Sequence, residues 1–401
     1  MKKFLALLLA LAMVFALCAC GTSEEEAAEV TEAAVEETTE TAETGDAAEA
    51  NTFKLGVSGP LTGGAAVYGT AVAQGAQIAV DEINAQGGIQ FELSAQDDEA
   101  DGEKAVNAYN ALLDWGMQIL VGPVTSGSGI AVAAVAYQDR VFCLTPSGSS
   151  TDVIDGNDNM FQVCFTDPNQ GIASADYMAE NYPDAKVAVI YRNDDAYSQG
   201  IHDNFVAECA EVGIDVVYEG TFTNDTATDF SVQLTAAQAA EADMVFLPIY
   251  YQPASVILNQ ANDMGYAPTF FGVDGMDGIL TLEGFDTSLA EGVMLLTPFS
   301  ADAEDEMTQN FVAAYEDAYG EVPNQFAADA YDAVYIIAAA IEQAGVTSDM
   351  SNEEICDALS AAMVEITVDG ITGSGMTWDE SGAVSKGPMA VVIEDGVYVT
   401  P

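Results

Sequence analysis

Between residues 51 and 401 the chain changes period again and again: short apolar runs of strand length are followed by longer stretches with apolar residues at helical spacing. Strand-like runs fall at 53–58, 91–94, 118–121, 141–144, 186–191, 214–218, 244–247, 269–271 and 293–296. Between the first two, residues 68–86 carry Val72, Ala76, Ile78, Ala79 and Ile83 at helical spacing, and Gly87-Gly88 stops the run. Residues 102–115 read the same way. A parallel strand needs a crossover and is buried on both sides, so unbroken apolar strands alternating with helices predict an α/β fold of parallel sheets flanked by helices. The length suits two such domains. No repeat with a solenoid period interrupts the pattern.

The first 50 residues are a different kind of sequence. Lys2 and Lys3 precede an apolar run of 16 residues, 4–19. That is short for a membrane span, which needs about 20, and it fits a signal peptide over 1–19. The run ends in Leu17-Cys18-Ala19-Cys20-Gly21, which resembles a bacterial lipobox with Cys20 as the lipidated residue. An acylated Cys20 anchors the mature chain to the outer face of the cell membrane. Residues 21–50 hold ten Glu, one Asp and no base or aromatic residue. Such a segment buries too little to fold and repels itself, so 20–50 reads as a lipidated cysteine followed by a disordered acidic tether.

Composition excludes several activities. With 8 bases against 65 acids and a net charge of −57, the chain has no cationic surface with which to displace counterions from nucleic acid. A single histidine rules out His-rich metal sites. That residue, His202, reads as a helix position, and without a nucleophile elbow hydrolysis is not expected. Asp97-Asp-Glu-Ala-Asp-Gly-Glu103 has the acids of a calcium loop but ends in Ala108 where an EF-hand needs Glu, so it reads as a charged loop before a helix. Neither a metal nor a cofactor is expected. Cys143, Cys164, Cys209 and Cys356 are expected to be mostly buried thiols, their spacing giving no pairing.

In open parallel sheets ligands bind at the carboxyl ends of the strands, so the loops after strands carry the functional candidates. The Gly-rich loop 58–69 opens a helix but lacks the P-loop lysine and the dinucleotide glycine spacing. Residues 122–129 and 145–151 are rich in Ser and Thr and are expected to lie at helix N-termini, whose free N–H groups and positive dipole end suit a carboxylate; simple capping is the plain alternative. Residues 192–200 form a polar loop. Asp274, between Gly272 and Gly275 after a strand, is placed to face a cation, although a loop Asp is more often a turn residue.

These loops, taken in order, resemble the branched-chain amino-acid-binding proteins of ABC importers, the type I periplasmic binding fold. The likeness rests on SGPLTG at 58–63 with Tyr68-Gly69, DEINAQGGI at 81–89, GPVTS at 122–126, TPSGS at 145–149, NDDAY at 193–197, FLPIYY at 246–251, GVDG at 272–275 and AYDAV at 330–334. It implies two Rossmann-like lobes joined by a three-segment hinge near 163–167, 297–300 and 386–390. Lobe 1 is then 53–165 plus 299–387, and lobe 2 is 166–298 plus 388–401. It implies that Ser126, Gly148 and Ser149 take the ligand carboxylate, that Asp274 takes the ammonium, and that Tyr68, Tyr197, Tyr250 and Phe326 wall the pocket. Two departures stand out: neither Ala100 nor Thr125 is the cysteine of a family disulfide, and Ser198 replaces a glycine.

The resemblance implies a monomeric, non-enzymatic lipoprotein that captures a small amino acid, Leu, Ile or Val first, and delivers it to an ABC permease. No base lies in the five loops except Arg192, at an outer edge, so dicarboxylates and phosphates are disfavoured. The other readings are a ligand-sensing module of the same fold, and an amide, urea or carboxylate as ligand.

Overall fold

A computed structural model describes residues 51–400. The signal peptide, Cys20 and the tether all lie outside the described residues. The strands form two sheets. The first has five parallel strands: β1 (Thr52–Gly59), β2 (Gln90–Asp97), β3 (Ile119–Val121), β4 (Phe142–Thr145) and β5 (Met160–Gln162), in the order β2-β1-β3-β4-β5. Helices α1 (Ala66–Gln86), α2 (Gly102–Trp115) and α3 (Ser126–Asp139) are its crossovers.

After β5 the chain enters α4 (Asp167–Asn181) and builds β6 (Lys186–Arg192), α5 (Ala196–Val212), β7 (Asp215–Phe222), α6 (Ser231–Ala239), β8 (Met244–Leu247), α7 (Tyr251–Met264), β9 (Thr269–Gly272) and β10 (Met294–Thr297). It then forms α8 (Glu306–Tyr319), α9 (Gln325–Ala344) and α10 (Asn352–Met363), packed on elements of the first sheet. Finally β11 (Met389–Glu394) and β12 (Val397–Val399) complete the second sheet, ordered β12-β11-β10-β9-β8-β6-β7. Strands β6 to β10 pair in parallel; β11 and β12 join antiparallel.

Both sheets are covered on two faces, and residue alternation within strands shows it. In β3 and β4, Ile119, Val121, Phe142 and Leu144 join the core beneath α1 and α9, while Leu120 and Cys143 join Tyr109, Leu112 and Val132 of α2 and α3. In the second sheet Ala188, Ile190, Val245 and Leu247 pack with Leu234, Ile257 and Leu258, and the alternate residues Val187, Val189, Met244 and Phe246 pack with Met178, Ile201 and Phe205. A strand whose neighbours alternate between two apolar layers has no polar face, which is why these runs read as continuously hydrophobic.

Two departures from strict alternation matter. The segment after β4 does not enter an α-helix: it makes a single 3-10 turn, Thr151–Val153, before Gly156 (φ 72°) and β5. The expected helix N-terminus after 145–151 is therefore absent; Ser150 caps the short turn through Asp152 N, and the turn-forming run at 155–159 leaves no length for a helix. After β9 the chain likewise makes only 3-10 turns. The four cysteines Cys143, Cys164, Cys209 and Cys356 are buried free thiols. Among the described residues no helix is long and apolar enough to cross a membrane.

Candidate functional site

The site is assembled at the carboxyl ends of strands from both sheets. From the first sheet, Tyr68 stands in the first turn of α1, after β1, and Ser126 is the first residue of α3, after β3. The first N–H groups of a helix have no intrahelical partner, so the α3 start offers donors into the cleft. Ser126 is buried and its Oγ accepts from Ser150 N at 3.1 Å. This bond ties the 122–129 loop to the 145–151 loop. Ser149 is fully buried, and its hydroxyl makes no hydrogen bond of normal geometry. Gly148 lies beside it, but its N–H already donates to Thr145 Oγ1 at 2.8 Å and its carbonyl accepts from Gln162 Nε2 at 2.7 Å. Its backbone is thus part of the loop's scaffold.

From the second sheet come Tyr197, in the first turn of α5 after β6; Tyr250, the residue before α7; and Asp274, just after β9. Tyr197 donates its hydroxyl hydrogen to Asp274 Oδ1 at 2.6 Å, and Gly275 N donates to the same Oδ1 at 2.7 Å. A Cβ at Gly275 would run into Tyr197 and Tyr250, so this position has to be glycine for the turn to sit under the rings. The Asp274 carboxylate is buried, and burial pushes its carboxyl up to about 7, against the pull of the Tyr197 and Gly275 donors.

The rings form a chain. Tyr197 stacks on Tyr250 at 4.9 Å, Tyr250 meets Tyr68 edge-on at 5.5 Å, and Tyr68 lies 4.2 Å from Phe326 in the first turn of α9. Tyr251 packs behind, edge-on to Tyr68 at 5.0 Å, with its N–H donating to the Tyr68 hydroxyl at 3.2 Å. Tyr250 therefore faces Tyr197, and Tyr251 supports Tyr68. The Tyr68 hydroxyl in turn donates to the Gly275 carbonyl, a direct bond between the two halves of the site.

Sequence reading did not single out three further residues that join these halves. Asp167 and Gln170 lie in α4, which follows β5 and is capped by Thr166. Asp167 N donates to Ser149 O at 3.0 Å, and Gln170 Oε1 accepts from Asp274 N at 3.3 Å. Gln325, at the start of α9, donates to the Asp274 carbonyl at 2.7 Å. Asp167's only sequence signal was its position at the expected crossing 163–167; Gln170 and Gln325 had none. Beside the site a cavity of about 530 Å³ opens, with Thr125, Arg192, Asp195, Tyr250 and Gln252 in its walls.

The remaining loop residues have local roles. Arg192 is held by Asp194 at 2.7 Å. Ser198, at the family's glycine position, is buried and accepts from Arg192 N at 2.8 Å, fastening the 192–200 loop to α5. His202 stacks on Tyr191 at 3.6 Å, with its ring nitrogens 2.8 Å from Asp203 and Glu219, a structural setting. The acids at 97–101 accept from backbone N–H groups: Asp97 from Leu61, Thr62 and Glu99, Asp98 from Ala100, and Asp101 from Lys104 at the start of α2.

The periplasmic binding protein family profile matches residues 52–396. The chain belongs to this family. A curated relative, the Leu/Ile/Val-binding protein BraC3 of Rhizobium johnstonii, is 32% identical over 81% of this chain and 88% of its own length. Among solved structures, the leucine-binding protein LivK of Thermotoga maritima is 27% identical with a TM-score of 0.78, covering 87% of this chain and 97% of that one. The branched-chain amino-acid binding protein LivJ of Streptococcus pneumoniae, solved with isoleucine, is 30% identical with a TM-score of 0.77, covering 87% and 100%. The architecture is the type I periplasmic binding fold, parallel-sheet lobes flanked by helices.

Proposed function

We propose that the chain is the extracytoplasmic solute-binding lipoprotein of an ABC importer, and that it captures a small amino acid, Leu, Ile or Val first, between two closing lobes. The observation that carries the reading is the pairing of opposite ends in one buried site. Asp274 offers one carboxylate for an α-ammonium. Ser126, Ser149 and the N–H groups at the start of α3 offer neutral donors for an α-carboxylate. Tyr68, Tyr197, Tyr250 and Phe326 supply an apolar wall. The names of the relatives agree with this chemistry. On this reading no covalent step occurs: the protein binds, closes and hands its ligand to a permease in the membrane that Cys20 anchors it to.

A thermal-shift screen of amino acids, amides, urea and small carboxylates tests the reading. A ligand that binds the native state alone raises the melting temperature with ln(1 + [L]/Kd). Leucine, isoleucine and valine are expected to give the largest shifts. A shift from benzoate, urea or an amide with none from any amino acid would replace the amino-acid assignment with that ligand class.

A further inference from the structure

A second cavity, of about 500 Å³, meets the turn that carries Asp274 and shares no lining residue with the one beside Tyr250. Its walls come from separate parts of the chain. Asp277 and Leu280 follow β9, Phe299 follows β10, and Val397 belongs to β12 at the edge of the second sheet. Val312 of α8 and Pro323, just before α9, come from the helices packed on the first sheet. Val322 and Val397, both lining the cavity, are more than half exposed. Small-molecule sites hold about 300–1,000 Å³ and combine apolar walls with a few polar groups. The volume and the carbon-rich walls fit that description.

The ionisable groups lining this cavity are acids and one phenol. Asp277 is 5% exposed and holds the start of α9 through one oxygen, Oδ2, which accepts from Gln325 N at 2.9 Å. Its other oxygen, Oδ1, is buried and makes no hydrogen bond; nor does the buried Tyr398 hydroxyl of β12. The two groups face each other and lack hydrogen-bond geometry. Burial raises the Asp277 carboxyl in spite of the donors at Gln325 N and Tyr398. Asp302 and Glu316 also line the cavity, and no Lys, Arg or His does. A buried acceptor without a partner is costly, and a cation that brings its own N–H donors relieves it most strongly. An anion would meet three acids and no base.

We propose that this cavity is a second ligand site, for a compact hydrophobic amine whose ammonium donates to Asp277 Oδ1 while its hydrocarbon part packs against Leu280, Phe299, Val312 and Val397. The site goes beyond the amino-acid reading and stands without it. It also reaches the first site through the chain: Asp277 N donates to the Asp274 carbonyl at 2.9 Å, and Gln325 bonds to both residues.

The probe is 2-phenylethylamine, with 2-phenylethanol and phenylacetate as its neutral and anionic counterparts. Methyl NMR of the purified full chain, labelled at Leu and Val and titrated at neutral pH, reads where each one binds. The amine is expected to shift the methyls of Leu280, Val312 and Val397, and to bind there at least about tenfold more tightly than the alcohol or the acid. Asp277→Asn keeps an oxygen for Gln325 N and should weaken the amine at these methyls by at least about tenfold. No shift of these methyls up to the solubility of the amine would overturn the proposal. So would equal binding of phenylacetate, or equal binding of the amine by Asp277→Asn. If that variant does not fold, the ranking of the three probes on the wild type decides. Shifts of the same methyls that follow protein concentration with no probe present would mark a contact between copies of the chain and would also overturn it. None of these outcomes depends on whether leucine binds at Asp274.

Discussion

On the proposed amino-acid reading, Asp274 bears on both affinity and stability. Its carboxyl is held by Tyr197 and Gly275 and is cut off from water, so an arriving ammonium meets an acceptor already fixed in place. A charge-assisted hydrogen bond is worth about 1.5–3 kcal/mol. Asp274→Ala is therefore expected to weaken amino-acid binding by at least about tenfold in a calorimetric titration, with the fold retained by circular dichroism. The raised carboxyl has a second consequence. Between about pH 4, where the unfolded chain loses this proton, and about 7, where the folded protein loses it, the folded state holds more protons. The stability of the ligand-free protein thus falls as pH rises through that window and levels off above it. Asp98 and Asp329, each raised to about 6, act in the same direction. Comparing Asp274→Asn with wild type isolates the one group: melting temperature should drop less from pH 5 to pH 8 in the variant, and equal drops would show that Asp274 does not titrate there.

Among the elements, α9 links more of the molecule than any sequence pattern suggests. Asn324 caps it, and its first turn places Phe326 against Tyr68 and Gln325 on the Asp274 carbonyl. It lies so close to α1 that a Cβ at Gly75 would meet the Ala327 backbone, and Tyr331 and Tyr335 reach across to Glu82 at 2.7 and 2.8 Å. One turn past Phe326, Asp329 accepts from Lys386 Nζ at 2.7 Å, and that ammonium also donates to Thr372 Oγ1 at 2.7 Å. Lys386 stands just before β11, where the chain re-enters the second sheet. Nearby, Asp332 accepts from Ile371 N and from Thr372 N and Oγ1. Removing the cation leaves acids buried without it, a loss of about 3–5 kcal/mol in comparable cases. Lys386→Met should lose stability of that order in urea unfolding at pH 8, and restoring neutrality with Asp329→Asn in the same chain should recover most of it. A double variant no better than the single one would show that charge is not what the pair supplies.

For the whole molecule, the proposed capture of a ligand brings two sheets together. The Tyr68 to Gly275 and Gln325 to Asp274 bonds join the halves of the site across the cleft. If crossings near 163–167, 297–300 and 386–390 act as hinges, a ligand that touches both halves favours the closed arrangement. Small-angle scattering should show a smaller radius of gyration with saturating ligand, and an unchanged radius would sink the closure mechanism. The anchor is tested separately. Cys20→Ala should move the protein out of the membrane fraction or alter its processing, and unchanged partitioning and processing would dismiss the lipobox reading.

The alternation of strand and helix periods determined the fold class, because runs such as 119–121 and 244–247 are apolar at every position and only a doubly covered sheet buries both sides of a strand. The same alternation pointed to the loops after strands, where Tyr68, Ser126, Tyr197, Tyr250 and Asp274 stand. Periodicity missed the three-residue strand β5, and it did not distinguish a capped helix from the 3-10 turn after β4. It was also silent on whether the Gly148 N–H was free, since Thr145 fills it only in the folded loop. What tertiary structure alone decided is which groups are dry and which are paired. Asp167 and Gln170 read as the opening of an ordinary helix. They become a carboxylate without a hydrogen bond and an amide bonded to Asp274 N only because β5 delivers α4 beneath two loops from one sheet and Asp274 from the other. Gln170 meets Asp274 across 104 positions, and no local pattern carries such a pairing.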